Sequence, residues 1–194
     1  LYSSAASDVY KRQVYDGSDA IMLSGETATG DNPIKAVEVM RNVVLHAEAN
    51  LPYASMIRDK NMQLENQVND AISYDACRTA FQLNADLIIT FTESGSTATR
   101  VSKYRPVPHI LALTPHESVR RTLTLTWGVI PVIVKGVSNV EDFFAVGETH
   151  ALRSKHLPKG QGMVVLVAGL PIGVTGGTNL LRVMEIPSKH SVEP

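Results

Sequence analysis

Residues 86–104 read DLIITFTESGSTATRVSKY, and they decide the fold. The apolar run Asp86–Phe91 is short and ends at a polar segment that contains glycine, which predicts a buried strand. The segment from Ser96 to Tyr104 predicts a helix, which Pro106 closes because proline disfavours a helical residue before it. A strand, a short loop and a helix in this order form the repeating unit of a parallel α/β sheet.

The same alternation extends on both sides of this stretch. Further strands are predicted at 109–113, 131–134, 163–168 and 180–186, and further helices at 71–83, about 117–127 and about 140–154. The turn before the last strand is too short for a helical crossover, so that strand is predicted to run antiparallel. We therefore expect residues 68–188 to form a three-layer α/β/α domain with a mostly parallel five-stranded sheet, followed by a tail at 189–194.

An earlier part of the chain predicts a separate strand and helix. The apolar run 19–23 (DAIML) ends at the turn Ser24–Thr27, and Asn32 with Pro33 marks the start of a helix whose apolar residues recur at helical spacing. One such unit cannot bury both faces of its strand, so residues 14–50 are predicted to belong to a larger structure. Residues 51–67 are polar and irregular, and they predict a connection between domains.

Composition excludes several classes of function. Hydrophobic residues make up 44% of the chain and charged residues 19%, as in soluble globular proteins. The net charge of -1 argues against a nucleic-acid binder, and no apolar run approaches the roughly 20 residues of a membrane span. The single cysteine, Cys77, allows no intrachain disulfide and indicates a reducing compartment. No signal peptide is recognisable, so we expect a cytoplasmic protein.

The first residues have a different origin in this interpretation. Residues 3–13 (SSAASDVYKRQ) match the codon-for-codon translation of a transposase adapter used to prepare sequencing libraries. Residues 1–13 are therefore interpreted as an adapter artefact and excluded from the fold prediction, and the natural protein is expected to be longer. The alternative is a polar N-terminal tail.

A long contiguous motif carries a family resemblance. Residues 16–30 (DGSDAIMLSGETATG), followed by Pro33, closely resemble the last strand and loop of the catalytic (β/α)8 barrel of pyruvate kinases. The resemblance runs from Val14 to about Pro187. It implies that 14–50 are the last β/α unit of a TIM-type barrel and that 68–188 are the C-terminal domain for effector binding and assembly.

The resemblance also implies an activity for the parent enzyme. Such enzymes transfer the phosphoryl group of phosphoenolpyruvate to ADP, with Mg²⁺ or Mn²⁺ and K⁺, and assemble as homotetramers. Ser24, Glu26 and Thr27 would lie at the active face of the barrel, which is the carboxyl end of its strands. The alternative is that these three residues only tie the turn to the next helix. The catalytic lysine that neutralises phosphate, the carboxylates that hold the divalent metal and the monovalent-cation ligands map to no residue here, so we expect no metal site and no turnover by this chain.

Two segments resemble the effector site of that domain. Thr92, Ser94, Gly95, Ser96 and Thr97 resemble its phosphate loop, and a helix N-terminus with hydroxyl donors favours an anion. Arg100 and Lys103 add positive charge, whereas the loop lacks the lysine and the spacing of a P-loop. A capped helix without a ligand is the alternative.

The second segment is a glycine-rich turn between the last two strands. Its residues Gly173, Thr175, Gly176, Gly177 and Thr178 resemble the loop that closes over the same effector. The alternative is a flexible reversal, and the nicotinamide fingerprint is absent.

The expected class of effector is inferred from two positions at which this sequence differs from family members that respond to fructose 1,6-bisphosphate. Family members that respond to fructose 1,6-bisphosphate carry a lysine where Glu93 stands and an arginine at or near the position of Phe143. A sugar monophosphate or AMP is therefore expected rather than the bisphosphate. Two rival functions stay open: a stand-alone module that binds phosphorylated metabolites, and a purely structural oligomerisation domain.

Overall fold

The computed structural model describes residues 4–60, 65–157 and 160–187. It divides into two compact units, Leu1–Pro52 and Tyr53–Pro194. The first unit contains three helices: α1 (Ser4–Tyr15), α2 (Gly25–Ala28) and α3 (Pro33–Ala49), with α1 packed against α3. The stretch interpreted as an adapter artefact is thus helical from Ser4 onwards, and its Tyr10 is buried.

The prediction of a strand at residues 19–23 is wrong. These residues belong to no β-ladder, and the Met22 side chain, predicted to be buried, is 81% exposed. A strand is stable only when its backbone N–H and C=O groups pair with a neighbouring strand. Among the described residues of this unit no strand is available as a partner. The helix predicted at Pro33 does form, although the Asn32 side chain makes no capping hydrogen bond.

The second unit begins with a helix where an irregular connection was predicted. Helix α4 (Tyr53–Lys60) lies within the 51–67 segment, and Ile57 on it is buried in the core of the unit. Its charged side chains Arg58 and Asp59 are exposed. The segment was not predicted as a helix because it is short and contains few apolar residues.

A five-stranded sheet forms the centre of this unit, as predicted. Its strands are β1 (Leu87–Phe91), β2 (His109–Thr114), β3 (Val129–Ile133), β4 (Gly162–Gly169) and β5 (Thr178–Ile186). Their order is β3-β2-β1-β4-β5. The first four strands are parallel, and β5 is antiparallel to β4, which confirms the mixed sheet.

Helices cover both faces of the sheet, and the central strands are therefore buried on both sides. The helices are α5 (Val68–Gln82), α6 (Ser96–Lys103), α7 (Glu117–Leu123) and α8 (Val140–Arg153). On one face Ile88 and Val165 pack with residues of α5, α6 and α7. On the other face Ile89 and Leu166 pack with α8, whose Phe143 is fully buried. Because β1 and β4 are parallel, their carboxyl ends lie at the same end of the sheet, where the loops that follow the two strands meet.

Candidate functional site

The three residues expected at a barrel active face, Ser24, Glu26 and Thr27, lie in the turn around α2. The Ser24 N–H donates to Glu26 Oε2 at 3.0 Å, and the Thr27 hydroxyl donates to the Ser24 carbonyl at 3.2 Å. The Tyr10 hydroxyl donates to Glu26 Oε1 at 3.0 Å. The pKa of Glu26 is lowered by the backbone N–H groups of Glu26 and Ser24 and by the Tyr10 hydroxyl. The contacts between Ser24, Glu26 and Thr27 are local to the turn, whereas the Tyr10 contact joins the turn to α1.

The loop between β1 and α6 has a fixed backbone. The buried Thr92 hydroxyl accepts a hydrogen bond from the Gly95 N–H at 2.9 Å. Gly95 has φ +89°, a left-handed conformation that glycine adopts without steric cost. Its missing side chain faces Val119 and Leu123 of α7, so a larger residue would also have to displace core groups. No side chain caps α6, which leaves its first-turn N–H groups free of a capping partner.

The glycine-rich turn between β4 and β5 is held at several points. The Asn179 side chain accepts from the Leu170 N–H at 2.8 Å and donates to the Leu170 carbonyl at 3.0 Å. The Asn69 side chain donates to the Gly176 carbonyl at 3.3 Å. A Cβ on Gly169 would lie 2.9 Å from the Gly177 carbonyl oxygen, so the close approach of the two arms requires glycine. The turn is therefore an ordered element rather than a loose reversal.

One buried hydrogen bond joins the two segments. Thr97 Oγ1 and Thr178 Oγ1 lie 3.0 Å apart, and both side chains are buried. Thr97 belongs to the first turn of α6, and Thr178 is the first residue of β5. The bond therefore sets the distance between the predicted phosphate loop and the glycine-rich turn.

A narrow cleft, with internal room for about one water molecule, lies between these segments. It is lined by Phe91, Thr92, Glu93, Ser94, Ser96, Thr97, Gly169, Gly173, Val174, Thr175, Gly176 and Gly177. The structure thus brings the sequence-predicted residues of both segments together. Gly95 and Thr178 support the cleft through the contacts above.

The charges around the cleft differ from the sequence expectation. Among the lining residues, Glu93 is the charged one, and its carboxylate Oε2 lies 2.6 Å from Nε2 of His116. Lys103 contacts Asp70 at 3.2 Å and Glu65 at 3.7 Å, so its charge is shared with two carboxylates. Arg100 and Lys103 line a shallow hollow along α6 that shares Ser94 and Ser96 with the cleft, so their positive charge borders the predicted phosphate loop.

Sequence reasoning missed His116. It is the residue before α7, on the loop that follows β2, and 23 positions separate it from Glu93. Loops after adjacent parallel strands meet at the same sheet edge, so the strand order was the signal that could have found the pair. The two residues are distant in the sequence, so their proximity becomes evident only when the strand order is known.

Phe143 does not face the cleft. Its side chain is fully buried and packs among Leu111, Leu113 and Leu166 in the cluster beneath α8. Phe143 itself therefore contributes nothing to the cleft, and the absence of an effector-binding arginine at or near this position stays a prediction. Phe143 is buried because α8 turns this face toward the sheet.

Two absences concern residues 4–60, 65–157 and 160–187. Within these ranges no group of three or more His, Cys, Asp or Glu side chains is placed to hold a metal ion. Within the same ranges no helix has both the length and the apolar character that crossing a bilayer requires.

Known proteins resemble most of this chain. The sequence profile described as "Pyruvate kinase, alpha/beta domain" matches residues 70–184. A pyruvate kinase of Staphylococcus haemolyticus (strain JCSC1435) is 41% identical over 177 residues, which are 91% of this chain and 30% of that protein. A pyruvate kinase of Staphylococcus aureus (strain USA300) is 40% identical over 178 residues, which are 92% of this chain and 30% of that protein.

Solved structures give the same relationship. A pyruvate kinase from Cryptosporidium parvum superposes with a TM-score of 0.86 at 32% identity, over 96% of this chain and 37% of that chain. A second structure of the Cryptosporidium parvum enzyme, in complex with ADP, gives a TM-score of 0.80 at 32% identity. The chain thus spans about a third of the length of these relatives. Because the family profile matches more than half of its residues, this chain belongs to the pyruvate kinase family.

Proposed function

We propose that this chain is the effector-binding and assembly part of a pyruvate kinase and that its cleft binds a phosphate monoester. The observation that carries the proposal is the Thr97–Thr178 hydrogen bond, which holds a hydroxyl-rich helix N-terminus against the glycine-rich turn. The family relationship supports the assignment to this enzyme, and the cleft supports a small anionic ligand. We place the parent enzyme in the cytoplasm.

The chemistry of the cleft favours a phosphoryl group. The uncapped N–H groups of α6 lie at the positive end of a helix dipole and point toward an anion placed before Ser96. The hydroxyl groups of Ser94 and Ser96, which are 3.2 Å apart, are additional donors. A phosphoryl group presents several acceptor oxygens and therefore matches a cluster of donors.

A single phosphoryl group fits better than two. Glu93 lines the cleft with a carboxylate, and like charges close together repel. Lys103 is shared with Asp70, whereas Arg100 borders the loop beside Ser94 and Ser96, so the cationic charge near the loop matches one phosphoryl group better than two. A sugar monophosphate or AMP is therefore the proposed effector class, in preference to fructose 1,6-bisphosphate.

The parent reaction is proposed from the family alone. The whole enzyme would transfer phosphoryl from phosphoenolpyruvate to ADP in glycolysis, with Mg²⁺ or Mn²⁺ and K⁺, as a homotetramer. This chain would contribute the allosteric domain, which acts only through a difference in effector affinity between two states of the assembly. We expect the purified chain to give no pyruvate from phosphoenolpyruvate and ADP in a coupled assay, and measurable turnover would contradict this.

Ligand-dependent unfolding tests the effector class. The chain is heated with AMP, ribose 5-phosphate, glucose 6-phosphate, fructose 1,6-bisphosphate or inorganic phosphate. A monophosphate at about a hundred times its dissociation constant is expected to add about 2.7 kcal/mol and to raise the midpoint by several degrees. Ser94→Ala should reduce the shift because it removes a donor from the exposed rim of the cleft.

A matched control is Thr122→Ala, which removes an exposed helical hydroxyl outside the cleft that bonds to the Ser118 carbonyl. This variant should keep the full shift. A shift with the bisphosphate alone would refute the argument from Glu93. No shift with any compound, in a folded sample, would favour the purely structural oligomerisation domain. Binding without any effect on an assembled pyruvate kinase would favour the stand-alone module.

A further inference from the structure

A close ionisable pair lies at the rim of the cleft. His116 Nε2 is 2.6 Å from Glu93 Oε2. The carboxylate can only accept, so Nε2 carries a proton and donates it. Glu93 is mostly withdrawn from solvent, with 21% of its side chain exposed, whereas His116 is 51% exposed. The carboxylate is thus held by its partner, and the imidazole can exchange protons with water.

The other charged groups near His116 are already engaged. On α7 the Glu117 carboxylate accepts from Arg120 Nη2 at 2.6 Å and from Arg121 Nε at 3.0 Å. The two arginines hold the pKa of Glu117 down to about 2, so it stays ionised across the neutral range. On α6, Arg100 borders Ser94 and Ser96 of the loop, and its guanidinium keeps a constant positive charge. Glu93 is therefore the group whose effective charge in the cleft depends on His116.

We propose that His116 is a specificity-determining residue of this cleft, which lets an anion bind beside Glu93 when its imidazole is protonated. The proposal rests on the proposed function, because it concerns the same cleft. It adds His116, which belongs to neither the phosphate loop nor the glycine-rich turn. It also couples binding of the phosphate monoester to protonation of this residue. An ion pair of one imidazolium and one carboxylate carries no net charge, so it does not repel an incoming phosphoryl group.

The change of charge leaves the hydrogen bond intact. When the imidazole loses a proton from Nδ1, Nε2–H still donates to Glu93, but the positive charge disappears. The carboxylate charge is then uncompensated beside the donors of Ser94 and Ser96. Anion affinity should therefore be higher while the imidazole is protonated than after it has lost that proton.

Calorimetric titration with two probes tests this linkage. Ribose 5-phosphate represents the proposed ligand class, and sulfate keeps the same charge from about pH 6 to about pH 8.5, so its pH dependence reports protein groups alone. The affinity of the unaltered chain for sulfate should fall about threefold to fivefold over this range, as expected for a partly exposed charge interaction. Ribose 5-phosphate should bind with proton uptake, seen as a heat that depends on the buffer.

Two variants separate the charge from the hydrogen bond. His116→Gln keeps a side-chain donor without the charge, and it should bind sulfate weakly at every pH. Glu93→Gln removes the carboxylate, and it should bind sulfate tightly at every pH. His109→Gln alters an exposed histidine at the opposite end of β2 and should retain the original profile.

The outcomes distinguish this inference from the proposed function. If the probes bind and His116→Gln retains the pH profile of the unaltered chain, the role of His116 is refuted while the phosphate site stands. If Glu93→Gln does not bind more tightly at high pH, the electrostatic coupling is refuted. If no variant binds either probe at any pH, the proposed function and this inference both fall.

Discussion

Replacing Phe143 with alanine is expected to lower the free energy of unfolding by about 4 kcal/mol. The ring is fully buried, and its centroid lies 6.2 Å from that of Phe91 and 5.7 Å from that of Phe144. Removing it takes apolar surface out of the core and leaves a cavity beneath α8, which the fixed strands of the sheet can fill only in part. Guanidinium unfolding followed by circular dichroism measures the change.

Phe81→Ala is the matched control for this substitution. Phe81 belongs to α5, but its side chain is 38% exposed, so its removal should cost about 1 kcal/mol or less. The slope of the unfolding transition should stay the same in both variants, because the surface exposed on unfolding changes little. A loss below about 1.5 kcal/mol for Phe143→Ala would mean that the core relaxes around the site.

Replacing Asp70 with alanine is expected to cost about 3 kcal/mol, the second largest effect. The carboxylate is 2% exposed and accepts from the Tyr104 hydroxyl at 2.6 Å, from Lys103 Nζ at 3.2 Å and from the Glu65 N–H at 2.8 Å. Alanine would leave the buried Tyr104 hydroxyl without this acceptor, and a buried polar group without a partner is costly. Thermal and urea unfolding would both report the loss.

The contribution of Asp70 should also depend on pH. Burial alone would raise the pKa of this carboxyl, but the hydrogen bonds from Tyr104, the Glu65 N–H and Lys103 outweigh burial and lower it. A lowered folded-state pKa stabilises the protein above the unfolded value, about 3.9, and this stabilisation is lost as pH falls through the folded value. The difference between the unaltered chain and Asp70→Asn should therefore shrink below about pH 4.

Asp75→Ala provides the control, because Asp75 is exposed on the same helix. It should change stability by about 0.5 kcal/mol or less at any pH. If Asp70→Asn were as stable as the unaltered chain at neutral pH, the charge on Asp70 would contribute nothing. The same cluster raises the pKa of Tyr104, chiefly through burial and then through its bond to Asp70.

The α/β alternation was readable from the sequence because each central strand is a short apolar run beside glycine or proline. Boundaries were less predictable: α7 ends at Leu123 rather than near Trp127, and β3 begins at Val129 rather than Pro131. Pro131 lies within β3, which is an edge strand, and an edge position tolerates a residue without an N–H. Sequence pattern alone does not say which strand lies at the edge.

The unpredicted features depend on contacts between distant segments. The run 19–23 looks like a strand because strand formation was judged from its own residues, although it depends on a partner. Asp70 looks like an exposed helix-start carboxylate, and its burial becomes evident only when Tyr104 is placed beside it. The segments around the cleft were predicted one at a time from glycine and hydroxyl content, whereas the His116–Glu93 pair required the strand order.

The position of β5 has a consequence for synthesis of the chain. Thr97 and Thr178 are separated by 81 residues, and the strand that carries Thr178 pairs with β4 at the far edge of the sheet. Contacts between such distant residues form late in folding, because a long loop must close first. A growing polypeptide therefore has no complete cleft until its last strand has left the ribosome. Molecules that lack β5 would lack one wall of the cleft, so the proposed ligand should stabilise only chains in which β5 is present.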